Sequence, residues 1–226
     1  MKILTLWLWA FWFAINKLLW ESNTEIIFYW YEKNNEIADS ISKTRKHPYF
    51  FEWYNLPSNI EVISDYDEII WEVDLLIFAI PTQCIKEELQ QLKWKLKSWV
   101  TILNLAKWID LNNNMTISQL IDREFKKLDY NYAILSGWMI AEEVVKQKKI
   151  WADLACSDKQ IWKQIRELFV CDYFKIDLRE DILNIELYWS FKNILAIITG
   201  YYEWLWENAS TIWYYINEFY NELKSL

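Results

Sequence analysis

Apolar and polar positions alternate along this chain in two rhythms. Short, nearly unbroken apolar runs, the pattern of a strand covered on both faces, fall at residues 2–6, 25–29, 60–63, 74–80, 100–104, 132–135, 153–156 and 173–176. Between them, apolar residues recur three and four apart, the spacing of one helix face, at 10–21, 35–44, 83–96, 116–126, 141–146 and 158–169. Strand and helix take turns, which predicts an α/β fold, a Rossmann-type doubly wound and mostly parallel sheet. From Asp181 the rhythm changes to two long helical runs, 182–202 and 208–223. The expected organisation is one α/β domain over 1–180 and the beginning of an all-helical domain over 181–226.

Composition sharpens this picture. Seventeen tryptophans and two glycines occur in 226 residues. Counted together they make up roughly 8% of the chain, close to the usual glycine share of about 7%. Trp7, Trp9 and Trp12 follow the apolar run 3–6 and open the helical run that begins at Ala10. With glycine at those three places the segment reads G-x-G-x-x-G, the dinucleotide-binding fingerprint in its strand-turn-helix setting. That turn needs a tight bend, close backbone approach to a pyrophosphate and close helix–strand packing, all of which a Cβ hinders. Trp20, Trp71, Trp99 and Trp108 likewise fall at predicted element ends, where glycine is at home. The expectation is that the gene reads UGA as glycine and that each such codon is written here as tryptophan. The 1–180 domain is then a dinucleotide-binding domain.

Charge and single residues narrow the classes. A net charge of −8 argues against nucleic acid or an anionic membrane as partner. The apolar run 3–15 is shorter than the roughly 20 residues a spanning helix needs, so no stable membrane insertion is expected. Cys84, Cys156 and Cys171 are odd in number and widely spaced, which suggests buried free thiols and a cytoplasmic location. His47 is the one histidine, so neither a Ser-His-Asp site nor a metal site is expected; it reads as a loop residue.

Six ordered strings then carry a family resemblance. They are the opening turn; His47 to Trp53 with Leu56-Pro57-Ser58-Asn59; Ile80-Pro81-Thr82-Gln83; Asn104-Leu105-Ala106-Lys107-Trp108-Ile109-Asp110; Ser136-Gly137-Trp138-Met139-Ile140-Ala141-Glu142-Glu143-Val144; and Glu186-Leu187-Tyr188-Trp189-Ser190-Phe191-Lys192-Asn193. With Trp read as Gly, the chain resembles the bacterial NAD(P)-dependent glycerol-3-phosphate dehydrogenases along nearly its whole length. The resemblance implies reversible hydride transfer between a nicotinamide, NAD or NADP, and dihydroxyacetone phosphate/sn-glycerol 3-phosphate, supplying a phospholipid precursor.

The resemblance also implies roles. Lys192 is the proton donor, Lys107 a cation shared by substrate and cofactor, and Asn193, with Asn104 second to it, a hydrogen-bonding partner. A lysine in a partly closed, cationic site can serve as an acid once its pKa falls. Gly137 and Met139 match the substrate loop. Trp7, Trp9, Ala10, Phe11, Trp12, Pro81, Lys107 and Ala141 match cofactor-contacting positions. Glu32 lies where an acid binds the ribose 2′-hydroxyl and favours NAD, whereas the family often has arginine at the position of Tyr31. Glu142 and Glu143 read as helix-start charges rather than a catalytic pair.

The end of the chain departs from the family pattern. No counterpart is found for the aspartate and Arg-Asn pair that grip the substrate phosphate, so a fragment, a reading frame cut short, or a chain completed by a partner is expected, and a homo-oligomer is a separate expectation. Two alternatives remain: a non-catalytic dinucleotide-binding module, and another oxidoreductase with the 6-phosphogluconate-dehydrogenase-like fold.

Overall fold

The structure, a computed structural model, describes residues 1–6, 10–106, 109–110 and 113–223, with backbone alone for Phe11, Trp12, Thr82, Gln83 and Leu223. Eight strands form one sheet in the order β3-β2-β1-β4-β5-β6-β7-β8. They are β1 (Ile3–Leu6), β2 (Phe28–Tyr31), β3 (Ile60–Ile63), β4 (Leu75–Phe78), β5 (Val100–Asn104), β6 (Tyr130–Trp138), β7 (Ile150–Cys156) and β8 (Phe174–Arg179). The first six run parallel, β7 pairs antiparallel with β6, and β8 follows β7 in parallel. This is the doubly wound, mostly parallel sheet expected from the sequence.

Helices cover both faces. One face carries α1 (Ala10–Ser22), α2 (Asn35–Thr44), α5 (Ala141–Val145) and α6 (Lys159–Leu168), packed through Phe13, Ile41, Val144 and Ile165. The other carries α3 (Thr82–Leu92), α4 (Ile117–Glu124) and α7 (Ile182–Ser190), packed through Ile85, Leu89, Leu120 and Ile185. Two further helices, α8 (Lys192–Trp204) and α9 (Ala209–Leu223), complete the described chain. Every residue of β1, β4 and β5 is buried, which explains their near-continuous apolar sequences. The Thr5 hydroxyl donates to Asn16 Oδ1 at 2.8 Å, pinning α1 onto β1 inside this core.

Several expected boundaries move. The second strand begins at Phe28 rather than 25, because Ile26 N–H turns back to the Asn23 carbonyl and Phe28 is the first residue in register with Ile3 and Ile60. β6 and β7 are longer than expected, as each lends the other an antiparallel ladder from Ala133↔Cys156 to Trp138↔Trp151. Gly137 therefore lies inside β6 rather than after it. A Cβ there would stand 2.3 Å from the Trp151 carbonyl oxygen and 2.4 Å from Ala152 Cα, so the close pairing of β6 and β7 requires glycine. The expected helix 182–202 breaks at Phe191. The Ser190 hydroxyl donates to the Glu186 carbonyl at 2.7 Å, a back-bond of the kind that bends helices. Trp20 does not end a helix: it lies within α1, buried against Phe13 and Trp30. Of the three free cysteines only Cys156 is buried; Cys84 and Cys171 are half-buried.

His47 sits in the loop after α2 yet is only 3% exposed. Its ring stacks on Trp30 at 5.8 Å and on Phe50 at 4.6 Å, and Nδ1 accepts the N–H groups of Tyr49 and Phe50. A protonated ring could not accept those bonds, and burial lowers its pKa from 6.5 to about 4. The unfolded chain takes up this proton more readily than the folded one. The stabilisation from burying neutral His47 is thus complete above pH 6.5 and is lost as the pH falls toward 4. Between pH 7.5 and 5, the chain should lose about 2 kcal/mol more stability than a His47→Phe variant, at roughly 1.4 kcal/mol per pH unit below 6.5. Denaturant titrations of both proteins at the two pH values measure the difference. Parallel losses would show that the ring does not titrate as its surroundings demand.

Candidate active site

The parallel strands β1, β4, β5 and β6 end at one edge of the sheet, where Leu6, Phe78, Asn104 and Ile134 lie in register. Between β1 and β4 the strand order reverses, and the connections leave toward opposite faces. Ligands of open α/β sheets bind at such a point. Pro81 stands at the N-cap of α3, where its missing N–H costs no hydrogen bond, and its carbonyl accepts from Cys84 at 2.9 Å. Ala10 and Ala141 are the first residues of α1 and α5. Both are half-buried, small side chains at helix starts.

At the end of β2, Tyr31 meets Tyr66 edge-on at 4.7 Å, and Glu32 follows it into the loop. The Glu32 carboxylate accepts the Asn34 N–H at 3.0 Å. Burial raises its pKa, and that hydrogen bond works in the opposite direction. Tyr31 is likewise pushed up, first by burial and then by the surrounding carboxylates, Glu88 foremost.

Lys192 opens α8 at the same edge, with its ammonium 4.4 Å from the centre of the Trp138 ring. It is half-buried, and burial lowers its pKa, with Glu143 on α5 acting against that shift. This is the environment in which a lysine can give up a proton to a neighbouring base. Asn193 is exposed beside it. Beneath Lys192, Trp189 is buried between Trp138 and Trp151. Its indole N–H donates to Asp153 at 3.1 Å, and Asp153 also accepts from Arg179 at 2.6 Å.

Other sequence candidates fall elsewhere. Asn104 is fully buried, and its side chain closes a turn on Ala106, accepting from the Ala106 N–H at 2.9 Å and donating to its carbonyl at 3.3 Å. It shapes the segment leading to Lys107. Met139 is buried in the core layer of α1 and α5, and Gly137 is enclosed between β6 and β7. Glu142 pairs with Lys146 one turn along α5, and Glu143 is exposed in the same first turn. Trp7, Trp9, Lys107 and Trp108 lie outside the described residues, as do the side chains of Phe11 and Trp12. Two clefts of about 500 and 650 Å³ open at the opposite edge of the sheet and share Trp99, remote from Lys192.

One buried group was not singled out by sequence reasoning. Glu186 is 5% exposed, and its carboxylate accepts from the Ser118 N–H at 3.0 Å, the Ser118 hydroxyl and the Tyr132 hydroxyl. The available signal was an acid set among the apolar positions of a helical run, Ile182, Ile185 and Trp189.

Known proteins share this architecture. Glycerol-3-phosphate dehydrogenase from Coxiella burnetii superposes with a TM-score of 0.85 at 20% identity, over 99% of this chain and 67% of that one. The enzyme of the same name from Plasmodium falciparum gives 0.87 at 24% identity, over 99% and 64%. In sequence, "Glycerol-3-phosphate dehydrogenase [NAD(P)+]" of Staphylococcus aureus (strain USA300 / TCH1516) is 28% identical over 201 residues, 88% of this chain. The chain spans 60% of the length of that relative. Residues 10–162 match the sequence profile of the family described as NAD-dependent glycerol-3-phosphate dehydrogenase N-terminus, and the chain belongs to that family.

Proposed function

We propose that this chain carries the cofactor-binding domain and the proton-donating lysine of an NAD(P)-dependent glycerol-3-phosphate dehydrogenase acting in the cytoplasm. Residues 1–180 form the dinucleotide-binding unit, and 181–226 begin the helical substrate unit. The observation that carries the reading is Lys192: a half-buried ammonium at the first residue of α8, beside the edge where β4, β5 and β6 end. Glu32, a half-buried carboxylate at the end of β2, suits a ribose hydroxyl and favours NAD. When bound, the nicotinamide supplies a hydride to C2 of dihydroxyacetone phosphate or takes it back from glycerol 3-phosphate. Lys192 gives its proton to the C2 oxygen as the carbonyl becomes an alcohol and recovers it in the reverse direction. Lys107 neutralises substrate charge, and Asn193 orients the C2 oxygen.

Our reading also places glycine at the tryptophan positions of turns and the phosphate-binding bend in the native host. Three tryptophans, Trp94, Trp99 and Trp206, have φ of 77°, 67° and 59°, the left-handed region that glycine enters freely and a bulky residue does not. Their side chains are 77%, 69% and 94% exposed, so packing offers little compensation for the strain. Trp30 and Trp162 leave buried indole N–H groups without a hydrogen-bond partner.

Two experiments test these readings. Mass spectrometry of the protein from its natural host should find glycine at the bend and turn positions 7, 9, 12, 94, 99, 108 and 206 and, by the family string Glu186–Asn193, at 189; tryptophan in those peptides ends the glycine reading. In the glycine form, supplied with the helical segment of its relatives if the chain alone is inactive, Lys192→Ala should lower kcat for dihydroxyacetone phosphate reduction by about 10²–10⁴-fold. Lys107→Ala should also raise KM, because a cation touching the substrate contributes before chemistry. Reduction needs the protonated amine, so the rate should fall on the alkaline side at a pH below the ordinary lysine value. A Lys192 variant with near-normal turnover would remove it as the donor.

A further inference from the structure

We propose that the cavity between the C-terminal ends of α3 and α4 binds a small amphipathic phosphate, a free single-chain phosphate ester whose head meets four cations and whose tail lies on an apolar floor. The inference does not depend on the catalytic reading above.

The cavity measures about 370 Å³ and lies at the sheet edge where β5 and β6 begin, away from Lys192. Lys93 is the C-cap of α3, and Arg123 stands in the last turn of α4. Lys126 and Lys127 follow α4 on the loop to β6. All four line the cavity. Its floor comes from Leu96, Phe125 and Leu128, the first two of them buried. Backbone bonds fix the loop: the Phe125 N–H donates to the Ile121 carbonyl and the Leu128 N–H to the Phe125 carbonyl, each at 2.8 Å.

One carboxylate shares the cavity. Glu124 accepts from Nε and Nη2 of Arg123 at 3.3 and 3.2 Å and lies 3.9 Å from Lys93 Nζ. Arg123 Nη1 donates to Asn113 at 2.7 Å. Both cations sit at helix C-termini, where the macrodipole favours positive charge, so they need no ligand to explain them. Lys126 and Lys127 have no such explanation. They are exposed, lie past the helix end and make no ion pair among the described residues. The nearby acids Asp122 and Asp129 line the adjoining cleft instead.

The cavity thus gathers four positive charges against one negative, on a chain whose net charge is −8. A local excess of this kind attracts an anion, and a phosphate monoester, with close to two charges, suits the surplus. The floor favours an anion that carries hydrocarbon, because apolar surface leaves water on both sides. At about 370 Å³ the cavity is near the lower limit of ligand pockets. It has room for one short chain, and the net charge of −8 opposes an anionic bilayer. Trp94 stands at the rim, 77% exposed. None of the contacts invoked uses its ring, so the glycine form keeps the site.

Octyl phosphate is titrated into the chain, with inorganic phosphate, octylammonium and phosphatidic-acid vesicles as comparators, and backbone amide shifts locate the binding. Octyl phosphate should saturate with a Kd below ~1 mM, at least ~30-fold tighter than inorganic phosphate, because several methylenes leave water. The shifts should gather at 93–97 and 123–128. Lys126→Gln/Lys127→Gln should weaken binding ~5-fold or more, whereas Lys148→Gln/Lys149→Gln, exposed lysines on the loop before β7, should stay within ~2-fold. Raising the salt from about 0.05 to 0.5 M should also weaken it. Octylammonium and the vesicles should not bind. Octylammonium binding as well as octyl phosphate overturns recognition of the anion, and inorganic phosphate binding as tightly overturns the role of the floor. Shifts confined to other residues, or full affinity in the Lys126/Lys127 variant, overturn the site itself. Vesicle binding that this variant abolishes overturns the free ligand in favour of a membrane surface.

Discussion

Two-sided burial of the central strands governs the rest of this molecule. β1, β4 and β5 have no exposed residue on either face, so their backbone groups are paired within the ladder and their side chains serve packing. Helices must then cover both faces, and every reversal of the chain is driven to a sheet end. Polar groups able to meet a ligand can stand only there. Lys192, Glu32 and Pro81 all obey this rule, arriving from different faces at the edge where the parallel strands finish. Among the polar side chains that do enter the layer, Thr5 bonds Asn16 and Tyr132 bonds Glu186.

The alternating rhythm of the sequence was enough to read the sheet, because buried parallel strands need runs of Leu, Ile and Val that few other settings tolerate. It failed where tertiary pairing, rather than local pattern, sets an element. β6 extends to Trp138 only because β7 returns along it, and no periodicity within 132–135 announces a partner twenty residues on. The kink at Phe191 depends on one serine hydroxyl choosing a backbone carbonyl. The site was legible in part. Lys192 was singled out only through the resemblance carried by the string Glu186–Asn193, and Glu32 through its place after the second strand, where the dinucleotide fold carries an acid. Glu186 was passed over because an acid inside an apolar helical run reads as solvated until its three donors, from α4 and β6, are seen together. Asn104 was noticed but given a substrate to hold, whereas its side chain holds its own turn.

The tryptophans divide by environment in a way composition alone could not show. Trp20, Trp30 and Trp189 fill core space, and Trp189 even finds a carboxylate for its N–H. Trp94, Trp99 and Trp206 instead project into solvent from left-handed backbone, a combination costing about 1–3 kcal/mol at each position for a residue with a Cβ. Left-handed backbone at these three positions is of the kind that glycine adopts most freely.

The reversal at β7 has a consequence of parity. β6 climbs to the ligand edge, β7 descends, and β8, parallel to β7, descends again, so α7 starts at the far edge, where Ile182 and Leu183 lie beside Trp99 and Tyr130. It must therefore climb, and its climb delivers Lys192 onto Trp138. Had β8 run the other way, the same helix would have carried its lysine to the wrong end of the sheet. Strand direction in the segment before α7 thus decides which edge receives Lys192, and loops can lengthen freely here while the number of reversals cannot change by one.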